Sequence, residues 1–191
     1  MRPFFLTGLV MTLLAVQIHA GPTQSAKDAM ARGDHRTALH IIRTSAEQGN
    51  AEAQASFGSL YLYGLLGVPR DDALAFDWYR KSAAQGDSDG QYNLGVMYAA
   101  GRGVTRSMTI AAEWYRKAAD QGHASAAYNL GVLYSDGNGV AQDNAQAMVW
   151  FRKAAEAGHS SARLNIGLNY LNGTGVAKDK AEAARWIRLA A

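Results

Sequence analysis

An all-α solenoid of antiparallel helix pairs, stacked in register, is predicted by three observations. Trp78, Trp114, Trp150 and Trp186 stand 36 residues apart. Gly95, Gly131 and Gly167 keep that step, as do Tyr98, Tyr134 and Tyr170. The connecting loops read GRGV, GNGV and GTGV from Gly101, Gly137 and Gly173. Self-similarity at such a period marks units that cannot bury their apolar faces alone and do so by stacking on their neighbours. An earlier copy carries Gly58, Tyr61 and Trp78, and its loop from Gly64 to Gly67 is one residue longer, so Gly58 lies 37 residues before Gly95. Before it, Asp34, Ala38, Ile41 and Gly49 fall where Asp71, Ala75, Trp78 and Gly86 fall next. The expected chain is therefore one degenerate plus four clear repeats: a leader over 1–20, a degenerate helical pair over 21–49 and the solenoid over 50–191.

The leader is predicted from Arg2, an apolar run from Phe4 to Val16, and the small Ala20 before Gly21 and Pro22, the pattern of a secretory signal peptide. Cleavage after Ala20 removes the charge of Arg2 and takes the net charge from +3 to +2. That balance is too weak to point to nucleic acid or an anionic membrane. The run is short for a membrane span, and no later stretch is long and apolar enough for an anchor. With no cysteine, neither a disulfide nor a lipid on a cysteine is available. The expected product is exported, periplasmic or secreted, without stable membrane insertion.

Within a unit, Tyr92, Leu94, Gly95 and Tyr98 recur at the spacing of a first helix. A mid-helix glycine costs about 1 kcal/mol relative to alanine, so it has to be compensated by close approach of another helix. The second helix is predicted to start at Asp71, Ser107, Asp143 and Asp179, each seven residues before a tryptophan and each able to accept from free backbone amides. Ala75, Ala111, Ala147 and Ala183 with the tryptophans three residues on are expected to form its buried stripe, with Tyr79, Tyr115, Phe151 and Ile187 beside it. Gly86, Gly122 and Gly158 are placed to close it. No strand pattern competes.

The run from Tyr92 to Gly122, YNLGVMYAAGRGV followed by EWYRKAADQG, resembles the Sel-one-like repeat family, a branch of the tetratricopeptide superfamily, over roughly residues 50–191. The resemblance implies a right-handed α/α superhelix whose first helices line a concave groove. It also implies a non-enzymatic role as adaptor, regulator or inhibitor of other proteins, including signalling complexes, polysaccharide export and immunity against secreted antibacterial toxins. The alternative from another class is a hydrolase of cell-wall material or β-lactams, since a cysteine-rich secreted branch of the family is linked to β-lactam binding or hydrolysis; it is disfavoured because that branch holds each repeat with a disulfide and this chain has no cysteine.

Catalytic and cofactor patterns are weak. Gly86-Asp87-Ser88-Asp89-Gly90 matches GxSxG, which works only on a strained strand-to-helix turn, whereas here it falls between two helices. His123 and His159 occupy equivalent positions, about one helix-pair width apart, too far to share a zinc ion, and read as polar residues at helix ends. The glycine loops lack the third glycine of GxGxxG. No metal, cofactor or catalytic residue is expected. The basic stripe Arg80-Lys81, Arg116-Lys117, Arg152-Lys153 and Arg188 reads first as a solvated structural face complementing the helix dipoles, and second as a site for an acidic partner.

A protein partner is expected in the groove, and candidates such as a secreted toxin or an envelope sensor follow from the resemblance. By analogy with tetratricopeptide grooves, Asp89, Tyr92, Val96 and Ala99, then Ser125, Tyr128, Val132 and Ser135, then Ser161, Leu164, Leu168 and Leu171 face it, with Asp136 and Asn172 on the rim. Tyr92 and Tyr128 read equally as interface anchors or as packing between helices. The recurrent Asn93, Asn129 and Asn165 read first as structural hydrogen-bonding groups and second as groove residues. At the other end, Trp186, Ile187 and Leu189 lack a polar capping helix and are expected to offer an edge for docking or self-association.

Overall fold

The structure, a computed structural model, describes residues 22–190. The signal peptide expected over 1–20 lies outside the described residues. Ten α-helices follow one another, and no strand occurs among the described residues. They are α1 (Pro22–Ala31), α2 (His35–Glu47), α3 (Ala51–Tyr63), α4 (Asp72–Ala84) and α5 (Ser88–Ala100). After them come α6 (Met108–Asp120), α7 (Ala124–Asp136), α8 (Asn144–Glu156), α9 (Ser160–Asn172) and α10 (Lys180–Ala190). They pair as five two-helix units, each helix packed mainly on its neighbours in sequence and most closely on its partner within the unit. Such nearest-neighbour packing is what makes a solenoid quasi-one-dimensional.

Helix starts follow the expected chemistry. The side chains of Asp71, Ser107 and Asp143 accept from backbone amides of the first turns of α4, α6 and α8, and Asp179 accepts from Ala181 and Glu182 at 2.9 and 3.0 Å. Asp34 does the same for α2 in the degenerate unit. These bonds satisfy donors that the helix itself cannot. Each loop is then closed by the backbone of the recurrent tyrosine: the amides of Asp71, Ser107, Asp143 and Asp179 donate to the carbonyls of Tyr61, Tyr98, Tyr134 and Tyr170 at 2.9 to 3.0 Å. The extra residue in the first loop puts Leu66 in the left-handed region, at φ 54°, a conformation costing a non-glycine residue about 1–2 kcal/mol. Its half-buried side chain packs on the N-terminal apolar cluster, which offsets that cost.

Glycine is required at two recurrent places. A Cβ on Gly95 or Gly131 would stand 2.7 Å from the ring of Tyr115 or Phe151, and one on Gly167 would stand 2.7 Å from Ile187 Cγ1. The first helix thus rests its backbone directly on the second, as expected from the cost of a helical glycine. The second glycine of the last three loops touches the preceding unit: at Gly139 (φ 77°) a Cβ would lie 2.4 Å from the Met108 carbonyl carbon, and at Gly175 (φ 69°) 2.2 Å from the Asn144 oxygen.

One expectation needs correcting. The stripe beside the tryptophans is the deeper one: Tyr79, Tyr115 and Phe151 are 0%, 4% and 2% exposed, whereas Trp78, Trp114 and Trp186 are only half-buried and Trp150 alone is buried. The reason is that the helical glycine admits the aromatic ring one position on, leaving the indole at the helix flank. There the lysine three residues later covers it, Lys81, Lys117 and Lys153 lying 3.9, 4.0 and 4.0 Å from the ring centroids of Trp78, Trp114 and Trp150. The arginines reach forward instead, Arg116 donating to the Tyr134 hydroxyl and Arg152 to that of Tyr170. Much of the basic stripe is therefore engaged in the stack.

Candidate functional site

The predicted face is carried by α5, α7 and α9, and its exposure rises along the chain. On α5, Asp89 is exposed while Tyr92, Asn93, Val96 and Ala99 are half-buried. On α7, Ser125, Tyr128, Asn129, Val132 and Ser135 are half-buried and Asp136 is exposed. On α9, Ser161 and Asn172 are exposed, and Leu164, Leu168 and Leu171 show 42%, 40% and 45% of their surface. Those leucines hold positions i, i+4 and i+7, so they line one side of the helix.

The two tyrosines combine both readings. Tyr92 stacks on His123 with centroids 4.5 Å apart and rings 21° from parallel, and Tyr128 stacks on His159 at 4.4 Å and 12°. Each histidine is the N-cap of the next first helix, its Nδ1 accepting from the amide of Ala126 at 3.2 Å or of Ala162 at 3.3 Å. The tyrosine of one unit thus clips onto the helix start of the next. With Nδ1 accepting, the proton of His123 sits on Nε2, 3.3 Å from Asp89 Oδ1. The bond from His123 holds the Asp89 carboxyl below its ordinary range. In the next unit Ser125 stands in the place of Asp89, and burial alone pushes His159 down from 6.5. The GxSxG stretch proves to be the start of α5, with Asp87 capping Gly90 at 2.7 Å. Among the described residues no group of three or more His, Asp or Glu side chains is placed to hold a metal ion.

The asparagines diverge in role despite their identical register. Asn93 donates to the Asp89 carbonyl at 2.9 Å. Asn129 stands beside the hydroxyls of Tyr92 and Tyr115 and lowers both phenols against the upward push of burial, which still leaves Tyr115 at about 12. Of the corresponding pair beside Asn165, Tyr128 keeps its hydroxyl while Phe151 has none. The Asn165 side chain has no hydrogen-bond partner among the described residues and lines an open cleft of about 420 Å³ between α7 and α9. Tyr128, Val132, Ser135, Asp136, Leu168 and Asn172, all anticipated from sequence, line that cleft too. Phe151, as its floor, and Asn169, which donates to Met148 Sδ at 3.2 Å, were not anticipated. The break in the Tyr79, Tyr115, Phe151 series is the signal that locates them. Leu164 and Leu171 lie on α9 beyond the cleft lining.

A second depression, of about 210 Å³, lies at the other end of this face, lined by Lys27 of α1, by Glu52, Ala55, Ser56 and Ser59 of α3, and by Asp89 and Asn93 of α5. Only its last two residues were legible in the repeat pattern. Lys27 pairs with Glu52 at 3.5 Å. Across α3, α5 and α7 the charged side chains are Glu52, Asp89 and Asp136, with no lysine or arginine. At the C-terminal edge Trp186 is half-buried, while Ile187 and Leu189 are 37% and 50% exposed. Ile187 still packs on Gly167, and the Leu189 carbonyl accepts from Arg163 at 2.9 Å.

Comparison with known proteins agrees with this architecture. The Sel1 repeat profile matches residues 51–87, 88–123, 124–159 and 160–191. A solved Sel1 repeat protein from Oxalobacter formigenes is similar at TM-score 0.80 and 36% identity, over 88% of this chain and 69% of that one. The solved c5321, a protective antigen of uropathogenic Escherichia coli strains displaying an SLR fold, is similar at TM-score 0.77 and 40% identity, over 80% of this chain and 32% of that one. HRD3B of Arabidopsis thaliana, an ERAD-associated E3 ubiquitin-protein ligase component, is 36% identical over 48% of this chain and 20% of its own length. The chain therefore spans about a fifth of that relative.

Proposed function

Because this chain belongs to the Sel1 repeat family, whose repeats mediate protein–protein interaction, we propose that it grips one protein partner with its first-helix face and acts as an exported, non-enzymatic inhibitor or regulator. The observation that carries the reading is the cleft between α7 and α9, where an unpaired amide, an unpaired carboxylate and exposed aliphatic groups gather over an aromatic floor. Rigid aromatic and apolar groups ringed by polar ones are the composition of interface hot spots. Plant relatives that are components of a ubiquitin-protein ligase support a role in assembly with other proteins. The sharpest form of the reading is a periplasmic immunity protein against a secreted antibacterial toxin. Envelope signalling or assembly is its alternative.

Export is supported by Arg2, the apolar run from Phe4 to Val16, and Ala20. A photo-crosslinking residue at Val132 tests the face in producing cells, with the same residue at the exposed Glu113 of α6 as control. One discrete adduct from Val132 and none from Glu113 is expected. Adducts from Glu113 alone would end the reading. N-terminal sequencing of the product should start at Gly21, and a product beginning at Met1 in the cytoplasm would remove the export part.

A further inference from the structure

The electrostatics of the first-helix face reveal what kind of partner segment it fits. The protein carries a net charge of +3, yet α3, α5 and α7 contribute three carboxylates and no cation to this face. Two of the three are already answered within the fold. Lys27 lies 3.5 Å from Glu52, and His123 Nε2 lies 3.3 Å from Asp89. The third, Asp136, is exposed, lines the cleft and has no partner among the described residues. No lysine or arginine lines the cleft. Arg163, the one cation of α9, is turned away to the Leu189 carbonyl.

Beside this unanswered charge lie two further kinds of contact. Tyr128, Val132 and Leu168 surround the Phe151 floor, a site for one aliphatic or aromatic side chain. Asn165 and Asn172 present free carboxamides, each both donor and acceptor, which is the complement of a peptide backbone. The apolar track continues from Leu168 beyond the cleft to Leu164 and Leu171, the outer two standing seven helical positions apart, or roughly 10 Å at 1.5 Å per residue. That is about the length of three residues of extended chain. A compact small molecule would leave this track uncovered.

We infer that the α7–α9 cleft receives an extended segment of a protein partner in which a lysine or arginine stands next to an aliphatic or aromatic residue. The cation pairs with Asp136, the apolar side chain rests on Phe151, and the segment's backbone bonds to Asn165 and Asn172. This rests on the protein-binding reading of the first-helix face and adds the chemistry of what is bound.

The test is a random heptapeptide display selection on the purified protein, followed by affinity measurement with the enriched peptides made synthetically. Two variants at exposed positions, Asp136→Lys and Leu168→Glu, are compared with the parent, with far-UV circular dichroism confirming equal helical content. Enriched peptides should share a Lys or Arg adjacent to an aliphatic or aromatic residue, bind at least 10-fold more weakly to Asp136→Lys, and lose measurable binding to Leu168→Glu. Peptides that lose binding to Leu168→Glu but are indifferent to Asp136→Lys, or are acidic, would overturn the inferred chemistry and leave the face as the binding surface. Peptides indifferent to both variants would overturn the inference and the face together. Failure to enrich any peptide would overturn the inference of a short linear segment, while the crosslink at Val132 would still judge the face.

Discussion

The front of the stack and its rear carry the same repeat, yet their units are joined differently. Between α4 and α5 and the helices flanking them, glutamines bridge the units. Gln85 Nε2 donates to Gln54 Oε1 at 2.8 Å, Gln54 Nε2 donates to the Ala46 carbonyl at 3.1 Å, and Gln121 Nε2 reaches Gln91 Oε1 at 2.8 Å and the Gly86 carbonyl at 2.9 Å. One unit later both positions are alanine, Ala127 and Ala157, and a gap of about 290 Å³ stands there. Arg102 adds a second clamp at the front, its guanidinium donating to both Asp72 oxygens at 2.9 and 2.7 Å and to the Leu62 carbonyl at 3.0 Å. Asn138 and Thr174 replace it further on. On the first-helix face the same contrast recurs, with Asn129 set against two tyrosine hydroxyls and Asn165 without a partner among the described residues. The polar side chains that join units at the front are replaced at the rear, where Asn165 is left without a partner among the described residues.

The largest effect is expected at the feature both regions share. Gly131→Val pushes two methyl groups into Phe151 and the Ala147 carbonyl, which a Cβ alone would already approach to 2.7 and 3.3 Å, and should destabilise by about 3 kcal/mol or more. Gly58→Ala meets Tyr79 at the looser 3.0 Å and should cost less than Gly131→Ala in chemical denaturation. The reverse order would mean that the front is packed as tightly as the rear.

Next comes the front clamp. Arg102→Ala leaves the Asp72 carboxylate without its main partner, and since the pair is about a quarter exposed to screening solvent, the expected loss is about 1–2 kcal/mol. The bonds from Arg102 hold the Asp72 carboxyl at about 2, below its ordinary 3.8. The folded chain therefore binds fewer protons than the unfolded one between those values. The clamp's contribution is present above about pH 4 and is lost as the pH falls toward 2. Acid titration of parent and Arg102→Ala should converge at the low end, and parallel curves would contradict the clamp.

Exchanging the glutamine pattern probes the comparison in both directions. Gln121→Ala should lower stability by about 1 kcal/mol, while Ala127→Gln with Ala157→Gln should restore a bridge at the rear and gain up to about 1 kcal/mol. Denaturant midpoints that move oppositely in the two variants support the contrast. A loss in both would show that the rear gap does not accommodate the pair.

The smallest effect concerns the histidine caps. His159 caps α9 through an unprotonated Nδ1, and burial holds it below the ordinary 6.5. The folded chain binds fewer protons there than the unfolded one, so this cap's contribution is full above pH 6.5 and is lost as the pH falls through the folded value. His159→Asn keeps an acceptor at the N-cap and should reduce the fall in thermal midpoint between pH 7.5 and 5, by the equivalent of up to about 1 kcal/mol. An unchanged slope would remove His159 as its source.

Much of this was legible in the spacing. The capping roles of Asp71, Ser107, Asp143 and Asp179, the close approach at Gly95, Gly131 and Gly167, and the helical ends at His123 and His159 are local, set within a turn or between two adjacent helices. The tryptophan stripe was read too deep, because periodicity places a residue on a face without saying which of two neighbours the helical glycine admits. The residues of the α7–α9 cleft were mostly named, but their grouping was not. Neither the opposite end of the face, with Lys27, Glu52 and Ser59, nor the Phe151 floor follows from one helix's pattern.

By itself, then, the order of amino acids determined the unit, its caps, its glycine contacts and the number of times it is stacked, since each depends on groups a few positions apart or on the constant step between copies. Only the tertiary structure decided which copies of a recurring side chain are satisfied. Asn129 and Asn165 are the same residue in the same register, and their settings differ by a hydroxyl present on Tyr115 and absent from Phe151 in the preceding unit. A half-buried amide is quiet when a partner stands within reach, and that partner comes from a different helix whose distance no periodicity records.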